Sequence, residues 1–204
     1  MPHAQGQIVT IGVTGASGAI LAQKALALLE ADARVARIHL VVTETGQRLF
    51  AEELGIPAGD LKQLPARMLG SPAKKIEVLA NKDVGASIAS GSYDVDAMIV
   101  VPCSMGTLAA IANGLANSLI ARAADVTLKE RRPLVLCVRE TPFNRIHLRN
   151  MTLAAEAGAV IFPVIPAFYN QPIDSTEMAR QFVCRVLAHI GLTQPGAYVW
   201  KADE

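Results

Sequence analysis

Charge of either sign is scarce in this sequence. Of 204 residues 18% are charged, with Lys+Arg at 19 against Asp+Glu at 18, for a formal net charge of +1. With no long run of one sign there is no electrostatic footprint for a nucleic-acid backbone or an anionic membrane. Neither partner is expected, and any anionic ligand must be small and locally held. Cysteine is scarce too. Cys103, Cys137 and Cys184 are far apart, odd in number and without a C-x-x-C pair, which argues against a disulfide scaffold or zinc ribbon and fits a reducing, cytoplasmic setting. His3, His39, His147 and His189 have no metal-ligand spacing, so no metal site is expected. Residues 1–7 lack the basic start and apolar core of a secretory signal. Internal repeats, low-complexity tracts and linkers are missing as well, which predicts one domain over residues 1–204.

Apolar sequence is abundant, at 51% of the chain. The stretch 97–121 carries no charge and is long enough to span a bilayer, yet Pro102, Ser104, Thr107, Asn113, Asn117 and Ser118 argue against it, because polar groups are costly in hydrocarbon. A buried strand, a polar turn and a buried helix fit it better. Short, nearly continuous apolar runs recur at 8–13, 38–43, 97–101, 134–138 and 159–163, the pattern of strands buried on both faces. Between them, apolar residues at three- and four-residue spacing predict helices over 19–31, 46–54, 107–129, 144–157 and 175–190, the third broken near Asn113 and Gly114. This alternation predicts a three-layer α/β fold with a parallel sheet and helices on both faces. Residues 55–74, containing Pro57, Pro65, Pro72, Gly59 and Gly70, read as a surface excursion or lid. The tail 193–204 has too few periodic apolar residues for a core element. Its Tyr198 and Trp200 predict a segment that docks on its own domain or on a neighbouring subunit.

Three groups of residues carry chemistry. The first strand runs into Gly12-Val-Thr-Gly15-Ala-Ser17-Gly18 and then a helix. Small residues there let the backbone turn tightly and aim N–H groups and a serine hydroxyl at a ligand, a cradle for phosphate or flavin. The spacing is neither the G-x-G-x-x-G of dinucleotide binders nor a P-loop. Glu44 reads as a helix-start residue rather than a ribose-binding acid. Pro102-Cys103-Ser104-Met105-Gly106-Thr107 opens a helix with two hydroxyls and unpaired N–H groups, where the plain alternative is an ordinary N-cap. Ligands of open α/β sheets bind outside the carboxyl ends of the strands, where Ser17, Thr43, Ser104 and Arg139 would all stand. Arg122 and Lys129, seven apart, share a helix face, while Arg139 and Glu140 end a buried strand. A carboxylate oriented beside a positive field is what proton transfer requires. Arg131 and Arg132 read as solvated charges. Tyr169 and Arg185 add a phenol and a guanidinium fork for a phosphate.

Thr14-Gly-Ala-Ser-Gly18, Ser90-Gly-Ser92, Pro102-Cys-Ser-Met-Gly-Thr107, Arg122-Ala-Ala-Asp125, Leu128-Lys-Glu-Arg-Arg-Pro-Leu-Val-Leu136, Arg139-Glu-Thr-Pro142 and Pro166-Ala-Phe-Tyr169 resemble the UbiX-type flavin prenyltransferases. They do so in order and along nearly the whole chain. The resemblance implies a flavodoxin-like, Rossmann-like fold, bound FMN, a homododecamer, and metal-independent transfer of a dimethylallyl group from dimethylallyl monophosphate to reduced FMN. The product, prenylated FMN, would serve a UbiD-type decarboxylase. By motif, the resemblance implies that Gly15, Ala16, Ser17, Thr43, Ser104, Met105, Gly106, Thr107 and Arg139 bind FMN. It implies that Tyr169, Arg185, Lys129, Arg139 and Trp200 bind the prenyl phosphate, and that Ser17, Glu140, Lys129, Arg122 and Glu53 are catalytic. Thr43-Glu44 departs from the Ser-Lys of many relatives. Two other readings compete. A flavin-dependent decarboxylase of the cysteine type would favour Pro-Ala-Ser-Ala-Asn where this chain has Pro-Cys-Ser-Met-Gly. A non-catalytic flavin-binding regulatory subunit would not need the intact set Ser17, Lys129, Arg139, Glu140, Tyr169 and Arg185.

Overall fold

The computed structural model describes residues 6–57 and 59–200. Six strands form one parallel sheet: β1 (Gln7–Val13), β2 (Val35–Val42), β3 (Ile76–Ala80), β4 (Ala97–Cys103), β5 (Leu134–Val138) and β6 (Val160–Ile161). Strands β4 and β5 are buried at every residue, as their unbroken apolar sequence requires. Successive residues point to opposite faces and feed two separate cores. Ile99, Val101, Val135 and Cys137 pack in one, with α1 (Ala19–Ala31) and α7 (Ser175–Ala188). Met98, Val100, Leu134 and Leu136 pack in the other, with α4 (Met105–Ala112), α5 (Leu119–Lys129) and α6 (Arg145–Glu156). Helix α2 (Glu44–Leu54) joins the first core through Phe50, which is 1% exposed.

The strand order is β3-β2-β1-β4-β5-β6. The chain therefore builds outward from β1, crosses back and builds the other way from β4, which opens a crevice beyond the carboxyl ends of β1 and β4. That reversal positions the candidate site.

Two segments differ from the sequence expectations, and a third follows them. The edge strand β3 carries no strand pattern in the sequence: in its Ile-Glu-Val-Leu-Ala the apolar residues are half-buried or, at Ala80, exposed, and Glu77 breaks the continuous run seen in the central strands. Residues 55–74 are not a free excursion. A 3₁₀ turn (Leu61–Gln63) leads into α3 (Leu64–Leu69), which buries Leu64, Pro65 and Met68, and Gln23 of α1 donates to the Met68 carbonyl at 2.8 Å. The uncharged stretch 97–121 divides into β4, α4, a turn and the start of α5, whose N-terminus Ser118 caps. Among the described residues no helix is long and apolar enough to cross a membrane. His3 and the last four residues of the tail lie outside the described residues.

Candidate functional site

Thr14 builds the crevice. Pro102 has no N–H to give the ladder, and the β4–β5 register shifts between Val100 and Cys103. The wholly buried Thr14 hydroxyl ties β1 to β4 here, donating to the Pro102 carbonyl at 2.9 Å and accepting from the Ser104 N–H at 2.7 Å. The glycine loop then passes so close to the start of α2 that a Cβ on Gly15 would stand 2.4 Å from Thr45 Oγ1. Only glycine fits that approach. Thr43 caps α2 by accepting from the Gly46 N–H at 3.0 Å, and Ser17 is exposed at the crevice mouth.

Glu53 reaches back from α2 and accepts from the N–H groups of Gly18 (3.0 Å) and Ala19 (2.7 Å). The α1 N-terminus, where many α/β folds hold a phosphate, is thus filled by the chain's own carboxylate. At α4 the arrangement is open. Ser104 Oγ accepts from the Thr107 N–H at 3.3 Å and donates to the Thr107 hydroxyl at 3.1 Å, so this cap leaves the first helical N–H groups, of Met105 and Gly106, free for a ligand to engage. A Cβ on Gly106 would meet nothing within 4 Å. Exposed Arg139 and Glu140 follow β5; the Arg139 N–H bonds the Cys103 carbonyl at 3.1 Å, and Glu140 Oε1 accepts from the Thr141 N–H at 2.9 Å. Hydroxyls, outward N–H groups, a close glycine approach and a guanidinium are the donors a flavin and its phosphate need, and this crevice fits FMN. Burial pushes the Cys103 thiol up to about 12, which keeps it protonated and inert beside the crevice.

Tyr169 and Arg185 form a second group. Tyr169 meets Tyr198 and Trp200 with ring centroids 5.4 Å away in each case, the Trp200 contact edge-on, and Arg185 lies over the Phe162 ring at 5.7 Å. They share a cavity with Gln181 and Asn170, whose side-chain oxygen is buried and unpartnered. None of the crevice turns lines that cavity.

Arg122 and Lys129 form a third. They share an α5 stripe, where Arg122 bonds the Ala89 carbonyl at 3.2 Å and Asp125 at 2.8 Å while Lys129 pairs with Glu130. Lys129 precedes β5 and Arg139 follows it, so roughly 17 Å of strand separates the two ends. Within one copy of the chain β5 therefore keeps Lys129 apart from Arg139. Arg132, read from sequence as a solvated charge, instead holds the 91–93 turn through the carbonyls of Tyr93 (3.0 Å) and Gly91 (3.1 Å). Thr14 and Thr45 were not singled out from sequence, although Thr14 stands inside the glycine motif. Among the described residues no group of three or more His, Cys, Asp or Glu could hold a metal ion.

A sequence profile of the Flavoprotein family matches residues 2–185. A probable UbiX-like flavin prenyltransferase of Bacillus subtilis is 41% identical over 196 residues, covering 96% of this chain and 90% of the relative. The crystal structure of AnUbiX (PadA1) in complex with FMN and dimethylallyl pyrophosphate superposes with a TM-score of 0.85 at 39% identity, covering 98% of this chain and all (100%) of that one. A dodecameric FMN-dependent UbiX-like decarboxylase from Escherichia coli O157:H7 gives 0.85 at 38% identity, covering 96% and 100%. With likeness of this extent at both levels, the chain belongs to the Flavoprotein family and, within it, to the UbiX-type flavin prenyltransferases.

Proposed function

We propose that this protein transfers a dimethylallyl group from dimethylallyl monophosphate to reduced FMN. The observation that carries the reading is the exposed Arg139–Glu140 pair at the mouth of a crevice lined by Ser17, Thr43 and the open α4 N-terminus. When bound, reduced FMN supplies the nucleophilic N5. The chain's residues supply the rest. Gly15, Ala16, Ser17, Thr43, Ser104, Met105, Gly106, Thr107 and Arg139 hold the flavin. Arg139, Arg185, Lys129 and Tyr169 bind the phosphate that departs with the electron pair of the breaking C–O bond, and Arg122 adds to their positive field. Their fixed charges give this departure a metal-independent route. The faces of Tyr169 and Trp200 stabilise cationic character on the allylic carbon. Glu140, oriented by Thr141, passes a proton to the leaving phosphate, and Ser17 handles the proton at N5. Glu53 acts by fixing the Gly18–Ala19 turn that presents Ser17.

The separation of Lys129 from Arg139 supports a site completed by a second copy of the chain, and the dodecameric relative is consistent with that assembly. We further place the protein in the cytoplasm as a single-domain subunit that passes prenylated FMN to a UbiD-type decarboxylase. Neither alternative reading explains this set: a regulatory subunit has no use for an oriented Glu140 beside Arg139. The test is anaerobic incubation with FMN, a reductant and dimethylallyl monophosphate, followed by mass spectrometry of the extracted flavin. A flavin heavier by one five-carbon prenyl unit is expected. Unmodified FMN, with a known transferase converting it in parallel, would remove the reading.

A further inference from the structure

After α7 the chain turns back along the helix it has just left. The start of this tail is fixed by Arg34, which donates to the Thr193 carbonyl at 2.8 Å, and by buried Gln194, which donates to Asp32 at 2.8 Å. The next residues are held by two α7 side chains. Arg180 donates to the carbonyls of Pro195 (2.7 Å) and Gly196 (3.2 Å). Gln181 donates to the Gly196 carbonyl at 3.0 Å and accepts from the Tyr198 N–H at 2.8 Å, using both ends of its amide. One oxygen of Glu177 accepts from both, Gln181 at 2.7 Å and Arg180 at 3.3 Å. Gly196 adopts φ +68, a conformation that side chains resist, and a Cβ there would stand 3.1 Å from the Arg180 guanidinium.

This clasp delivers Tyr198 and Trp200 to Tyr169. The aromatics are not packed away: Tyr169 remains 52% exposed and Trp200 61% exposed. Here Trp200 meets Tyr169 edge-on, and Gln181 and Tyr198 line the same cavity as Tyr169 and Arg185.

We propose that Glu177, Arg180 and Gln181 are positioning residues of the prenyl-phosphate site, holding the 194–200 segment so that its aromatic rings form the site's apolar wall. The proposal rests on the reading of Tyr169 and Arg185 as prenyl-phosphate ligands. Arg180 lies outside the lining of their shared cavity and acts through the tail. The effect of the three positioning residues falls on capture of the prenyl phosphate more than on the chemical step, and flavin binding is untouched.

Trp200 is the only tryptophan in the chain, so its fluorescence reports the tail directly. The test compares FMN-loaded full-length wild type with Arg180→Ala and, as a variant that leaves α7 intact, Gly196→Ala. Both variants are expected to raise iodide quenching of Trp200 and to raise KM for dimethylallyl monophosphate roughly tenfold, with kcat and FMN retention nearly unchanged. Arg180→Lys, which keeps one donor, should restore part of the loss. Unchanged quenching in both alanine variants would overturn the clasp. Raised quenching with unchanged KM would overturn its role in the site. A wild type that makes no prenylated flavin would remove the prenyl-transfer reading itself, a failure distinct from either.

Discussion

The two edges of the sheet are made of different materials. At the amino edge, side chains close on one another: Arg132 holds the 91–93 turn, Lys129 pairs with Glu130, and Asp96 accepts from the Ile8 N–H at 2.7 Å. At the carboxyl edge the turns are glycine, serine and threonine, Glu53 already occupies the α1 N-terminus, no side chain among the described residues caps the Met105 and Gly106 N–H groups at the start of α4, and Arg139 and Glu140 stand exposed. The first edge satisfies itself, while the second is left for a ligand. The comparison teaches that Lys129, expected in the chemistry of the second region, belongs by its place at the end of α5 to the side of the molecule that closes on itself, whereas Arg122 lies one turn into a helix that starts beside Asn81, at the carboxyl end of β3.

The largest effect expected from breaking the open edge is at Glu140. Glu140→Gln keeps the size and an oxygen for the bond from Thr141 but replaces the carboxyl by an amide that cannot take up and release a proton, so single-turnover prenylation should slow by about a hundredfold or more with both ligands retained. A wild-type rate would leave Glu140 without a proton role. Arg185→Ala should come next, raising KM for dimethylallyl monophosphate roughly tenfold while FMN stays bound, because the flavin crevice lies elsewhere. Steady-state rates at limiting prenyl phosphate would show it.

Smaller effects test the scaffold. Thr14→Val leaves the Ser104 N–H and the Pro102 carbonyl short of a buried partner, and urea denaturation should show a loss of about 1–3 kcal/mol. FMN affinity should fall with it, since the same hydroxyl joins the two turns that form the crevice. The smallest effect belongs to His39, buried on β2, with its Nε2 2.9 Å from the Tyr93 hydroxyl and its Nδ1 3.4 Å from Glu77. Burial lowers its pKa; Glu77 opposes that shift and Arg37 adds to it. Since the folded state disfavours the imidazolium, stability is full above the unfolded pKa near 6.5 and declines as the pH falls below it. Thermal unfolding should therefore drop by roughly a few degrees from pH 7.5 to 5.5, and less in His39→Gln.

Much of this molecule was legible because its central strands are buried on both faces. Continuous runs such as Leu134–Val138 admit few other readings, and each is followed by the polar turn that forms the site. What escaped notice was half-buried or assembled across the chain. Ile76–Ala80 has edge-strand exposure, so its apolar residues do not form a run. Residues 55–74 carry the proline and glycine of a loop, yet Leu64 and Met68 find a surface on α1 that no local pattern encodes. At the site, Ser17, Ser104 and Arg139 could be placed together because they end strands. The engagement of Glu53 with the α1 N-terminus spans 34 residues and depends on how α2 packs. The distance between Lys129 and Arg139 depends on strand direction, which motif order does not carry.

The most direct test of the account mixes two inactive proteins. Glu140→Gln removes a group at the carboxyl edge and Lys129→Ala one on α5, and each alone should lose most prenyl transfer. If a site draws these groups from different copies, co-expression in equal amounts should create assemblies in which about a quarter of the sites are native. Prenylated FMN formation should then recover to about that fraction of wild type. Activity no greater than the mean of the two single variants would contradict a site shared between copies.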